Sequence, residues 1–196
     1  MLQQEGLTTI GIDPTLPLLD AARARDPQGD YREARAEDLP FEDASFDLVI
    51  SYFTLIDIDD MHAAIAEMAR VLKPGGHLLI ANLNNFNTAA DPDTREKLPG
   101  GAVRITIDNY LEPRADWVSW AGIRIRNHHR PLAHYMQALL AQGLAPDARR
   151  PLMDSLRQLA PRLGLGSMVV LVSDFLSPLD PSSLVALLGQ RAGALG

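Results

Sequence analysis

The sequence predicts an α/β fold with helices on both faces of a mostly parallel sheet, and two observations carry that reading. Short β-branched or continuous apolar runs alternate with longer stretches whose apolar residues recur at helical spacing. Acidic or small polar residues then follow several of the strand-like runs, and in open parallel sheets ligands bind outside the carboxyl ends of the strands.

The elements follow in order. Leu7 to Ile12 is compact and β-branched and reads as a strand ending at Asp13. Pro14 suits the start of a helix whose apolar side is Leu16, Leu18, Leu19 and Ala22. Tyr31 to Ala36 is a weaker strand, and Glu37-Asp38-Leu39-Pro40 turns the chain. Phe46 to Ser51 is a buried strand, and Met61 to Leu72 is a helix with Met61, Ala64, Ile65, Met68 and Leu72 on its apolar face. Lys73-Pro74-Gly75-Gly76 stops that helix, and His77 to Ala81 is the next strand. Residues 82–101 have no period and read as a long loop or lid. Val103 to Ile107 alternates like a strand with one wet face, Tyr110 to Ile125 holds both tryptophans, and Pro131 to Leu144 is a helix that stops at Gly143. Beyond Ala145 the texture changes: 149–163 reads as helix, Met168 to Ser173 as a continuous apolar strand, and 181–188 as helix. Two units are expected, 1–144 and a divergent C-terminal segment, 145–196, with a junction between unrelated fragments near residue 145 left open as its origin.

Composition narrows the function. The 196 residues carry a formal net charge of −7 and no Lys/Arg cluster, which argues against a nucleic-acid partner. With no cysteine there is no disulfide framework and no thiolate metal site. The histidines do not form a metal-binding pair on a helix, so no metal is expected. No apolar run is long enough to span a bilayer and no signal sequence opens the chain, so a cytoplasmic location without a membrane partner is expected.

The residues after each strand are the candidate site. A carboxylate at Asp13 can accept two hydrogen bonds from the vicinal hydroxyls of a ribose; it is also an ordinary residue to find before a helix. Glu37 or Asp38 can accept from the exocyclic amine of an adenine while Leu39 packs on the ring, or the pair can be a solvated turn. Ser51, Tyr52 and Phe53 follow the third strand, where they wall a site or pack in the core. Tyr110, Trp117 and Trp120 line an apolar acceptor pocket or form the core of a small cap. His62 sits on the polar side of its helix.

Three stretches, in order, resemble one family. Thr9 to Pro14 is similar to the second strand and acidic end of class I S-adenosylmethionine-dependent methyltransferases. Ala36-Glu37-Asp38-Leu39-Pro40-Phe41, followed by Ser45-Phe46-Asp47-Leu48-Val49, is similar to their most recognisable stretch, and Arg70-Val71-Leu72-Lys73-Pro74-Gly75-Gly76 to the turn into their fifth strand. The type-11 methyltransferase domain so resembled covers about residues 5 to 144. The resemblance implies S-adenosylmethionine as cofactor and a small-molecule acceptor. It implies Asp13 on the ribose, Asp38 on the adenine amine with Glu37 and Leu39 beside it, and Ser51 and Tyr52 near the methionine part. His128 or His129 would be the base for an oxygen acceptor.

The chain departs from the family at both ends. The family's glycine loop follows a first strand that lies centrally in the sheet, and neither has room before Leu7. A truncated sheet is therefore expected, with backbone groups left unpaired or neighbours closed up, a homodimer formed through the unpaired edge, and impaired activity or a non-catalytic remnant. In the tail, Met168 to Phe175 resembles the strand of von Willebrand A-like proteins in domain-of-unknown-function family 58.

Overall fold

A computed structural model describes residues 7–90, 94–120, 123–145 and 168–173. Its centre is a five-stranded, all-parallel sheet made of β1 (Thr8–Asp13), β2 (Asp30–Glu33), β3 (Phe46–Tyr52), β4 (Leu72–Ala81) and β9 (Met168–Ser173), in the order β2-β1-β9-β3-β4. Between these come α1 (Leu16–Arg25), α2 (Met61–Arg70), α3 (Asn85–Ala89), β5 (Glu96–Lys97), β6 (Val103–Arg104), β7 (Arg114–Trp120), β8 (Ile123–His129) and α4 (Leu132–Ala141).

The expected gap in the sheet is not open. β9 lies between β1 and β3 and pairs in parallel with both, so the neighbours neither close up nor keep bare edges. The expected division at residue 144 therefore does not part the sheet: a strand of the C-terminal segment is its middle member. The two helices expected at 149–163 and 181–188 lie outside the described residues.

Strands β1 and β3 are buried on both faces. Ile10, Ile12 and Val49 join Met61, Ala64, Ile65 and Met68 of α2 and Tyr135, Ala138 and Leu139 of α4 in one core. The α2 residues stand three and four apart, one stripe of a helix. Its first turn is capped by Asp60, whose side chain accepts from Ala63 N at 2.9 Å. Leu48 and Ile50 alternate with Val49, face the other side, and are also buried.

The helix expected to run to Leu72 and stop at Lys73–Gly76 ends earlier, at Arg70 with Val71 as its C-cap; Leu72 already pairs in β4, and Lys73–Gly76 is a four-residue excursion inside that strand. Leu72 pairs with Phe46 and His77 with Leu48, so the register jumps there. Gly75 sits at φ 78°, open to glycine at no steric cost, and a Cβ on Gly76 would stand 2.9 Å from the Lys73 carbonyl oxygen.

The loop expected over 82–101 contains α3 and β5, and the strand expected over Val103–Ile107 shortens to a two-residue ladder with β5. The aromatic stretch forms the antiparallel hairpin β7–β8. No helix among the described residues is long and apolar enough to cross a membrane.

Candidate functional site

A cleft of about 280 Å³ opens where β1 and β2 end and the loop after β3 begins. That is near the lower end of small-molecule sites, roughly 300 Å³. Asp13 lines it from the tip of β1, and Glu37 from the turn after β2. Thr54, Asp57, Ile58 and Asp59 line it from the loop after β3. Ile12, Pro14, Leu18 and Ala36 add apolar wall.

Asp13 is 3% exposed. Its Oδ1 accepts from Thr15 N at 2.7 Å, which shapes the turn into α1. Thr15, not Asp13, is the N-cap residue of that helix. Glu37 meets Arg35 at 2.8 Å and its side chain is 15% exposed. Four carboxylates and one guanidinium thus face the cleft, a setting that favours hydroxyl and cationic groups over anions.

The other expected residues lie elsewhere. Asp38 is exposed and does not line the cleft, because the tight turn closed by the Arg35–Asp38 bridge points it outward. Leu39 is buried in the core, with its N–H donating to Glu67 Oε2 at 2.8 Å. Ser51 is fully buried and bonded to Thr54 through their hydroxyls at 2.8 Å. Tyr52 packs edge-on against Phe53. Ser51 therefore acts on the cleft only through Thr54.

The motif around Leu39 has a structural cause. Arg70 donates to both carboxylate oxygens of Glu67, to Asp43, and to the carbonyls of Leu39 and Phe41 at 2.7–3.0 Å. Its guanidinium fastens the turn after β2 to α2. Those bonds hold the Glu67 carboxyl below its ordinary range, burial opposing, with the Leu39 N–H helping.

The loop after β3 was the part of the site that sequence reasoning missed. Phe53 starts it at φ 55°, a conformation costly for a bulky residue. Arg130, 9% exposed, then holds it in place: its guanidinium donates to the carbonyls of Leu55, Ile58 and Asp59 at 2.6–2.9 Å. His128 N adds a bond to Ile56 O at 2.6 Å. One signal was the density of acids in Asp57, Asp59 and Asp60 between a strand and a helix; Arg130 stands in a stretch, Asn127 to Leu132, that resembles the family's segment before its last helix, but nothing in it pointed to a loop clamp.

The two candidate bases differ. His129 is 1% exposed, with Nε2 2.8 Å from the Tyr110 carbonyl and Nδ1 2.9 Å from the Thr88 hydroxyl. A carbonyl only accepts, so Nε2 carries the proton, and both ring nitrogens are engaged in tying β8 to α3 and Tyr110. His128 is 8% exposed and its Nε2 lies 3.0 Å from Asp59 Oδ1, without the alignment of a hydrogen bond. Burial, and after it the Arg130 charge, push the His128 imidazole below its usual range, with Asp59 opposing.

A second, larger cavity of about 720 Å³ lies between α3 and the β7–β8 hairpin. Trp117 lines it, with Arg124 stacked over the ring at 4.8 Å. Tyr110 instead packs against Phe86 and His129. The side chain of Trp120 lies outside the described residues. No cluster of metal-binding side chains occurs among the described residues.

Comparison with known proteins gives this geometry a context. Residues 1–80 match the methyltransferase domain family. A demethylmenaquinone methyltransferase of Renibacterium salmoninarum is 39% identical over 80 residues, 41% of this chain and 34% of that protein. A ubiquinone/menaquinone biosynthesis C-methyltransferase of Shewanella piezotolerans is 56% identical over 50 residues, 26% of this chain and 20% of that protein. The matches thus span about a third or less of these two relatives. Among solved structures, an S-adenosylmethionine-dependent methyltransferase from Mesorhizobium loti superposes with a TM-score of 0.62 at 24% identity, covering 81% of this chain and 76% of that one. Another, from Listeria monocytogenes, gives 0.56 at 22% identity, covering 68% and 64%. These likenesses show the methyltransferase-like, Rossmann-type fold.

Proposed function

We propose that the chain transfers a methyl group from S-adenosylmethionine to a small-molecule acceptor; the match of residues 1–80 to the methyltransferase domain family and the fold likeness support this reading. The observation that carries this reading is Asp13: a buried carboxylate at a strand's carboxyl end, facing a cleft with apolar walls. That donor set suits the adenosyl group. The carboxylate accepts from ribose hydroxyls, and Ile12, Pro14 and Ala36 offer apolar surface to a flat ring.

S-adenosylmethionine, when bound, supplies a methyl group already activated by the positive charge on its sulfur. The protein's work is to hold and align. Asp13 fixes the ribose end, Glu37 lies at the ring end, and the loop held by Arg130 forms the opposite wall. For an oxygen acceptor, His128 is the better base of the two histidines. Burial favours its neutral form, and its Nε2 stands 3.0 Å from the Asp59 carboxylate. The quinone-directed names of the two relatives favour a ring-bearing acceptor, and the cavity beside Trp117 is large enough for one.

Calorimetric titration with S-adenosylhomocysteine tests the reading. Saturable micromolar binding is expected, and Asp13→Ala should weaken it about tenfold or more, the loss of one or two bonds to a charged acceptor at about 1.5–3 kcal/mol each. Absence of heat at millimolar ligand would favour a non-catalytic remnant. Unchanged affinity in Asp13→Ala would remove Asp13 from the site.

A further inference from the structure

The chain reverses its course at the middle of its own sheet. From β1 it moves outward to β2 on one side, and from β3 outward to β4 on the other. Such a reversal opens a crevice at the carboxyl ends of the two inner strands, where ligands bind. Here a third strand, β9, lies under that crevice, and it comes from the far end of the sequence.

Its seat is specific on both sides. Thr8 to Ile12 pair in unbroken register with Met168 to Val172, and Leu48 to Tyr52 with Val169 to Ser173. Met168-Val169-Val170-Leu171-Val172 is a run of five apolar residues, the pattern of a parallel strand covered on both faces. Without it, β1 and β3 would face each other across about two strand spacings, roughly 9.6 Å. Their backbone donors and acceptors would then lie unpaired next to Ile12 and Val49, which are 1% and 0% exposed. The seat cannot stay empty at low cost, and Ser173, in register with Tyr52, brings the strand's carboxyl end to the crevice.

We infer that the space between β1 and β3 is a strand-accepting site filled by residues 168–173 of the same chain, and that the ligand crevice is competent with that strand in place. The ligand half rests on the proposed cofactor reading; the seating does not, and the experiment reads the two apart.

The chain has no cysteine, so a pair can be introduced cleanly. Ile50 and Leu171 are register partners, and adjacent strands run about 4.8 Å apart, within disulfide reach. In the full chain, Ile50→Cys with Leu171→Cys should cross-link on mild oxidation and run as a monomer on a non-reducing gel. Leu48→Cys with Leu171→Cys, two residues out of register and about 8 Å apart, should cross-link far less. A disulfide-linked dimer would assign the seat to a second copy and overturn the inference. Equal cross-linking of both pairs, or none in a folded variant, would overturn it too. Should the variants not fold, hydrogen exchange on the unaltered chain decides: amides 169–172 should be as protected as those of Val49–Ser51, and exchange at free-peptide rates contradicts the seating. For the ligand half, the oxidised Ile50/Leu171 pair should bind S-adenosylhomocysteine within about threefold of the unaltered chain. A tenfold or greater loss on locking would overturn that half. No binding by the unaltered chain would remove it together with the methyl-transfer reading, with the cross-link still judging the seat.

Discussion

Arg130 shows how one side chain can govern a site it does not line. Its three bonds to loop carbonyls oppose the strain of Phe53 at φ 55° and hold Thr54, Asp57 and Asp59 on the cleft wall. Arg130→Met should cost about 2 kcal/mol, since one buried and two part-buried carbonyls lose a charged donor. Arg130→Lys should recover only part of this, because an ammonium cannot fork across carbonyls as a guanidinium does. Urea unfolding checks both, and full rescue by lysine would contradict the argument. His128 predicts a pH effect. Its unfolded imidazole takes up a proton near pH 6.5, while burial and Arg130 hold the folded one below that value. The stability tied to its neutral form is complete above about pH 6.5 and is lost as pH falls through the folded value. The urea midpoint should drop more between about pH 7.5 and 5.5 in the unaltered chain than in His128→Asn; equal drops would contradict it.

Among the elements, the turn inside β4 gives the sharpest prediction. A methyl group on Gly76 would press on the Lys73 carbonyl at 2.9 Å and the Asp47 carbonyl at 3.2 Å, both backbone atoms with little freedom to yield. Gly76→Ala should therefore destabilise by about 1–3 kcal/mol, read as a lower urea midpoint at unchanged m-value. The Lys-Pro-Gly-Gly turn was legible in the sequence because glycine and proline act locally. So were β1, β3, α2 and α4, whose apolar spacing is a local property too. The short β2 and β6 were read as strands but with longer bounds, 31–36 and 103–107, and β5 was not read at all, since where such short pairings stop depends on neighbours. Asp13 and Glu37 were expected after strands, and both line the cleft, because strand ends announce themselves. Asp38 and Leu39 were not separable from Glu37 by sequence: which of three consecutive residues faces the cleft is set by the Arg70 clamp and the Arg35–Asp38 bridge. The clamping role of Arg130 was not readable because its partners are backbone carbonyls more than seventy residues away.

At the scale of the whole molecule, the middle of the sheet comes from the C-terminal end of the chain, and the strand tips beside it converge on one acidic cleft. Strand β9 was legible as a strand, but its place was not. Five apolar residues say that a strand is buried and leave open between which neighbours. The account depends on that cleft being where the adenosyl group sits. The most direct measurement is ultraviolet cross-linking of the full chain to methyl-labelled S-adenosylmethionine, followed by peptide mapping. Label is expected in the peptides that hold Asp13, Glu37 or Thr54–Asp59, and unlabelled S-adenosylhomocysteine should suppress it. Competable label confined to the α3 and β7–β8 side of the molecule, or no competable label at all, would contradict the account.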